Sequence, residues 1–231
     1  MSLPVLDGIR WILFDAVGTL IYPDPPVAEA YHRVARDFQS QLSVAEIKQR
    51  FAAAFAREFH SGPGLVRPPT SEAGERNRWR RVVAAVLNDL PEAEAEPFER
   101  LWQHFAEPAS WRLFDDVLAA LSALAARGFH LGIASNFDSR LHRIVAGHAP
   151  LAMCEQVFVS SEIGFSKPDP RFFAAVKARL GGSGPEILLV GDDYRNDLEG
   201  AVAAGWRGVL VNREGDAKST GGLRSLAVLL A

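Results

Sequence analysis

The sequence predicts an α/β protein: a parallel-sheet core into which an all-helical cap is inserted. Three observations lead there. Short apolar runs alternate with helical stretches over most of the chain. Polar and charged residues stand just beyond the ends of those runs. A long segment near the front, from about Pro23 to Trp111, contains helices and no convincing strand.

Five runs read as buried strands: Trp11–Phe14, Leu131–Ala134, Val157–Val159, Ile187–Val190 and Val209–Val211. Each is short and apolar throughout, as parallel strands covered on both faces are. Trp11–Phe14 is expected at the centre. Helices are expected over Val117–Arg127, Asp138–Gly147, Pro170–Leu180, Asn196–Ala204 and Leu223–Leu230. Gly128 stands where the first of these should stop. Between the first two strands, Phe51, Phe55 and Phe59 recur every four residues and so share one helix face. Trp79, Val82, Val83, Val86 and Leu87 make a second apolar face, and Leu101, Trp102 and Phe105 a third. Such stripes predict the core of a small helical bundle rather than a binding box. The segment Ser61–Ser71, with its glycines and prolines, reads as a connection between helix pairs. Arg76, Arg78, Arg80 and Arg81 spread around a helix and predict a solvated face, a phosphate-facing arginine being the alternative. The division is therefore core at 1–22 and 112–231, cap at 23–111.

Composition narrows the class. The 231 residues are 48% hydrophobic and 23% charged, which is a globular composition. A net charge of −3 gives no reason to expect nucleic acid as a partner. No apolar stretch reaches the about 20 residues that span a bilayer, so no membrane partner is expected. The lone Cys154 has no partner for an internal disulfide, which suits a reducing, cytoplasmic setting. An oligomeric state and a particular substrate are not written in the chain.

The residues beyond the strands carry the chemistry. Asp15 follows the first strand and precedes a Gly18-Thr19 turn. Ser135 and Asn136 follow the second strand, just before a helix. Lys167 stands between turn residues in Gly164-Phe165-Ser166-Lys167-Pro168-Asp169-Pro170, and Asp192, Asp193 and Asp197 follow the fourth strand. In an open α/β sheet all of these converge on the carboxyl edge, where ligands bind. A carboxylate can accept a phosphoryl group as an acyl phosphate, provided its repulsion from the phosphate is cancelled. Several carboxylates in one place call for a cation, since like charges oppose ionisation. Magnesium meets that need with hard oxygen ligands. The expected ligands are Asp15, Asp192 and the backbone carbonyl of Val17, with Asp197 a ligand or a support for one. Ser135 and Asn136 suit phosphate oxygens at a helix start. Lys167 suits neutralisation of Asp15 and the phosphoryl group.

The ordered set Asp15-x-x-Gly18-Thr19, Ser135-Asn136, Lys167-Pro168 and Gly191-Asp192-x-x-x-Asn196-Asp197 resembles the haloacid dehalogenase (HAD) superfamily. The resemblance covers the whole chain. It implies a Rossmann-like core with a helical cap between the first two motifs. It also implies Asp15 as the nucleophile of a phosphatase for a small phosphorylated substrate, with phosphate contacts from Ser135 and Lys167. The departure is Val17, where phosphatases of the family usually carry an aspartate that serves as acid and then base. Its loss typically costs about 10²–10⁴-fold in rate. Three readings stand: a phosphatase that works without that group or takes its proton from Tyr22, His32 or Asp193; a 2-haloacid dehalogenase, whose halide leaves unprotonated; and a weakly active binding or regulatory protein.

Overall fold

The computed structural model describes residues 4–59, 68–90, 95–213 and 222–230. Strand β1 (Trp11–Phe14) is central in a five-stranded parallel sheet. It is flanked on one side by β4 (His130–Ser135) and β5 (Gln156–Val159), and on the other by β6 (Ile187–Gly191) and β7 (Arg207–Leu210). In register, Ile12 lies opposite both Leu131 and Leu188, and Phe14 opposite Ile133 and Val190. This is the Rossmann-like α/β sheet the sequence predicts, with Trp11–Phe14 at its centre.

Alternation along β1 sends its side chains into two cores. Ile12 and Phe14 pack with Val117, Leu121 and Leu124 of α5 (Val117–Ala126) and with Leu141 and Ile144 of α6 (Arg140–Ala146). Leu13 packs on the opposite face with Phe172, Phe173 and Val176 of α8 (Pro170–Leu180), the helix that follows the one-turn α7 (Ser160–Ile163). Helix α5 ends one residue before its expected limit, and Gly128 follows with φ +85°.

Four helices lie between β1 and β4: α1 (Val27–Asp37), α2 (Val44–Phe59), α3 (Glu72–Val86) and α4 (Glu96–His104). They gather a hydrophobic cluster of their own around Tyr31, Ile47, Val82, Val86, Phe98 and Leu101. The expectation that this region holds no strand needs correcting at its two ends. Strands β2 (Ile21–Pro23) and β3 (Trp111–Leu113) pair antiparallel, with Pro23 opposite Trp111. Three-residue strands are too short to announce themselves by alternation, and their partners lie about ninety residues apart. The expected boundaries at 22/23 and 111/112 fall inside this pair. Of the connection expected over Ser61–Ser71, residues 61–67 lie outside the described residues.

Two further elements differ from expectation. The segment after β6 winds as a π-helix over Tyr194–Glu199, and the short α9 (Gly200–Ala203) completes it. Here the Asp193 side chain caps the turn while Asp197 N–H donates to the Asp193 carbonyl at 2.9 Å. π-turns are rare and occur mostly at functional sites. At the carboxyl end, Leu223 bridges to Val211 and only Leu226–Leu230 is helical, as a 3₁₀ turn. Asp116 accounts for this: its Oδ2 accepts from Ser225 Oγ at 2.6 Å and from Leu226 N–H at 2.7 Å, fixing the chain before a longer helix can begin. Among the described residues no helix is long and apolar enough to cross a membrane.

Candidate active site

Asp15 is the residue after β1, one step beyond the Phe14–Ile133 and Phe14–Val190 register pairs. Its amide donates to the Val190 carbonyl at 2.8 Å, so the sheet continues through its backbone while its side chain emerges at the carboxyl edge. The turn that follows is closed by Gly18 N–H donating to Ile21 O at 2.8 Å. Gly18 has φ +85°, and a Cβ there would come within 2.3 Å of Asp192 Oδ2. Only glycine lets the two loops approach so closely. Gly191 plays the same part for Asp197, whose Oδ2 would lie 2.1 Å from a Cβ.

The result is a compact acidic cluster. Asp15, Asp192 and Asp197 each offer a carboxylate oxygen, all within 4.8 Å of one another. Lys167, only 1% exposed, sits beneath them. Its Nζ donates to Asp15 Oδ1 at 2.8 Å, to Asp197 Oδ1 at 2.5 Å and to the Ala134 carbonyl at 2.7 Å. Burial would lower the lysine's pKa, but the Asp15 and Asp197 carboxylates outweigh it and hold the group above its ordinary value. One ammonium cannot balance three carboxylates. Asp192 presents part of its surface to solvent, yet the protein packed around it strips water from the carboxyl; this, with the Asp15 and Asp197 charges, pushes it up to about 7. Burial likewise pushes Asp197 up to about 6, against the pull of Lys167. The cluster thus retains unspent negative charge, and its donors are all hard oxygens, which fits a magnesium ion.

Ser135 ends β4, buried, at the same sheet edge. Asn136 lines the cavity beside Val17, and its side chain is engaged on Lys167. Its amide clasps the lysine's backbone, Oδ1 accepting from Lys167 N–H at 2.8 Å and Nδ2 donating to Lys167 O at 2.9 Å. Its side chain therefore orients Lys167. Val17 lies beside the turn and lines a cavity of about 330 Å³ that opens between the sheet edge and the helices above.

Of the three side chains expected as proton donors, Asp193 lines the cavity but is occupied as a cap, its Oδ1 accepting from Arg195 N–H at 2.9 Å and Asn196 N–H at 2.8 Å. Tyr22 packs on Phe114, ring centroids 4.9 Å apart, and does not line the cavity. His32 borders a separate surface depression with Glu29 and Arg36. Most of the arginine cluster meets carboxylates: Arg76 with Glu99, Arg81 with Glu58. Arg78 also meets a carboxylate, Glu75 at 3.0 Å, and both line the cavity. Glu75, Asp138 and Arg140 are cavity residues that the sequence reading did not single out. The signal for Glu75 was available, as an acid on the same helix face as Arg78 one turn away. Cys154 is buried and its thiol is pushed up to about 12 by that burial, so it is chemically quiet.

Sheet order, a carboxylate after β1 and a buried lysine joined to an acidic cluster define a hydrolase of the α/β class. The chain belongs to the haloacid dehalogenase-like hydrolases, whose family model matches residues 9–205. It is 32% identical over 210 residues to the human haloacid dehalogenase-like hydrolase domain-containing protein 3, covering 88% of this chain and 82% of that one. It is 32% identical over 155 residues to a Thermus thermophilus phosphoserine phosphatase, covering 67% of this chain and 61% of that one. Among solved structures, the magnesium-bound HAD-hydrolase YfnB from Bacillus subtilis has a TM-score of 0.73 at 22% identity, with 96% of each chain covered. The defluorinating L-2-haloacid dehalogenase Rha0230 has a TM-score of 0.75 at 19% identity, covering 93% of this chain and 86% of that one.

Proposed function

We infer that the protein is a magnesium-dependent phosphatase of small phosphorylated metabolites, acting through an aspartyl-phosphate on Asp15. The observation that carries this reading is the shared ammonium: Lys167 Nζ reaches both Asp15 and Asp197 from a buried position, beside a carboxylate cluster rich in unbalanced charge. A dehalogenase has less use for so much negative charge around its nucleophile.

Asp15, Asp192 and the Val17 carbonyl would hold the magnesium ion, with Asp197 as a further ligand or a support. When bound, the ion supplies positive charge that screens the nucleophile from the phosphate and stabilises charge on the transferring group. The chain's own residues do the rest. Lys167 sets its ammonium against Asp15 and fixes the direction of the Asp15 Oδ1. Ser135 Oγ and the amides at the start of the Asn136 turn bind phosphate oxygens. An Asp15 oxygen then attacks phosphorus and the ester oxygen departs. Water later cleaves the acyl phosphate and returns the carboxylate. Residues 23–111 act as the cap that excludes solvent, and residues 1–22 with 112–231 as the catalytic core. The lone buried thiol fits a cytoplasmic setting.

The test is phosphate release from phenyl phosphate with and without magnesium. Activity that needs the metal and disappears in Asp15→Asn supports the reading. Metal-independent halide release from a 2-haloacid favours a dehalogenase. Magnesium binding without any turnover favours a binding or regulatory role.

A further inference from the structure

The cavity that Val17 and Asn136 border is walled largely by aromatic side chains. Six of its lining side chains are Tyr31, Phe51, Phe55, Phe59, Trp79 and Phe105. The stripe on α2 that predicts a bundle core is only half-buried, and its rings form one wall of this space. Phe51 and Phe55 stand 5.7 Å apart at 22° to each other, and Phe55 and Phe59 4.7 Å apart at 27°. Tyr31 meets Phe51 edge-on at 5.5 Å. Aromatic groups prefer offset stacks and edge contacts of these kinds, and such a wall extends them to an entering ring.

Four of the five charged residues lining the cavity are matched in pairs, and the fifth, Asp193, is engaged in capping the turn after β6. Arg78 holds Glu75 at 3.0 Å, and Arg140 grips Asp138 through Nε and Nη2, each at 2.7 Å. Arg140 also stands over Trp102, its guanidinium carbon 3.5 Å from the ring centroid. A second ionic group on a substrate would meet charges already balanced. At about 330 Å³ the space is at the small end of ligand pockets, enough for one or two rings.

A separate observation points the same way. Val17 borders the cavity where a proton donor for the leaving group would stand. A phenol, with a pKa near ~10 as in tyrosine, leaves as its anion far more readily than an alcohol does.

We propose that the cavity binds the leaving group of the substrate, and that the substrate class is aryl phosphate monoesters carrying no second charged group. This rests on the phosphatase reading above. An Asp15 oxygen bonds to phosphorus as the bond from phosphorus to the aryl oxygen breaks, and the electron pair leaves on the phenolate. Water then attacks phosphorus, the bond to Asp15 breaks, and inorganic phosphate and the free carboxylate result. The phenolate takes its proton from solvent on release.

Four substrates separate ring binding from leaving-group acidity, all assayed on the native protein with magnesium. Phenyl phosphate has a ring and a good leaving group; benzyl phosphate has a ring and a poor one. Acetyl phosphate has no ring and a good leaving group; glycerol 3-phosphate has neither. A single methylene in an apolar pocket is worth about tenfold or more in selectivity. The expected result is therefore a KM at least about tenfold lower for each ringed substrate than for its ringless counterpart. Phenyl phosphate should have the highest kcat/KM of the pair that carries rings. In Phe55→Ala the ratio of kcat/KM for phenyl over acetyl phosphate should fall by about tenfold, a ratio that general loss of folded protein leaves unmoved. Equal KM values across the four, with metal-dependent turnover that Asp15→Asn abolishes, would overturn the aryl assignment while the phosphatase reading stood. No metal-dependent turnover of any of the four overturns both.

Discussion

Asn136 holds Lys167 by both backbone groups of that residue, accepting from its N–H at 2.8 Å and donating to its carbonyl at 2.9 Å. Thirty-one positions apart in sequence, the two loops are locked together, and the lysine's ammonium is thereby aimed at Asp15. Misplacing a catalytic group by about 1 Å can cost ~10²-fold in rate. Asn136→Ala should therefore lower kcat by about 10²-fold with a much smaller change in KM. Steady-state kinetics on phenyl phosphate read this directly; a KM effect alone would return Asn136 to the role of phosphate contact.

The glycine that admits Asp192 and a second one that faces open space give a controlled comparison. Gly18 and Gly128 share φ +85°, but a Cβ at Gly18 would strike Asp192 while one at Gly128 meets nothing within 4 Å. Backbone strain of this kind costs about 1–3 kcal/mol. Both Gly18→Ala and Gly128→Ala should lose stability on that scale, but only Gly18→Ala should also lose magnesium affinity. Thermal unfolding and titration calorimetry distinguish them.

Metal and protons should compete at the cluster. Asp192 is raised from 3.8 to about 7 and Asp197 to about 6. Between their ordinary and folded values, the folded protein keeps protons that the unfolded chain has lost. Their contribution to stability therefore falls as pH rises through that window, and is fully lost above about 7. Metal-free protein should melt lower at about pH 8 than at about pH 5 on account of this pair. Magnesium should raise the melting temperature strongly at the higher pH and little at the lower. Asp192→Asn should flatten the metal-free pH dependence and remove the magnesium effect. An equal magnesium shift at both pH values would mean that these carboxyls are not the ligands.

Val17 allows the missing proton donor to be put back. Val17→Asp should raise turnover of alkyl phosphates by up to about 10²–10⁴-fold and change aryl phosphates much less. It should also speed release of phosphate from Asp15, because a carboxylate there can activate water. A native protein already fast on benzyl phosphate and unimproved by the change would mean that another group gives the proton. The structure moves that search from Tyr22 and His32 to Glu75. It lines the cavity with Val17, and its carboxyl is held above its ordinary value by burial in spite of Arg78. In that event Glu75→Gln should remove the alkyl phosphate activity selectively.

What the sequence determined by itself is local. Four-residue apolar runs such as Trp11–Phe14 and Ile187–Val190, set between helical stretches and followed at once by polar residues, read as buried strands of a covered parallel sheet. The residues that follow each run must then appear at one edge. That is why Asp15, Ser135 and Asp192, with Lys167 a few residues past Val157–Val159, are legible in the sequence as a group. Pro170–Leu180 was legible to the residue, since Asp169 caps it and Gly181 ends it with a positive φ. What only the tertiary structure decided is what each face meets. A four-residue period shows that Phe51, Phe55 and Phe59 share a face, yet the same period serves a packed core and a cavity wall. The β2–β3 pair, the clasp of Asn136 on Lys167 and the burial of Glu75 beside Arg78 all depend on chain segments brought together from a distance. So does the π-turn that carries Asp197 to the lysine, for its winding answers to a partner thirty residues away. Periodicity and capping act within a turn or two of the chain, whereas charge pairing and cavity shape are properties of the assembled whole.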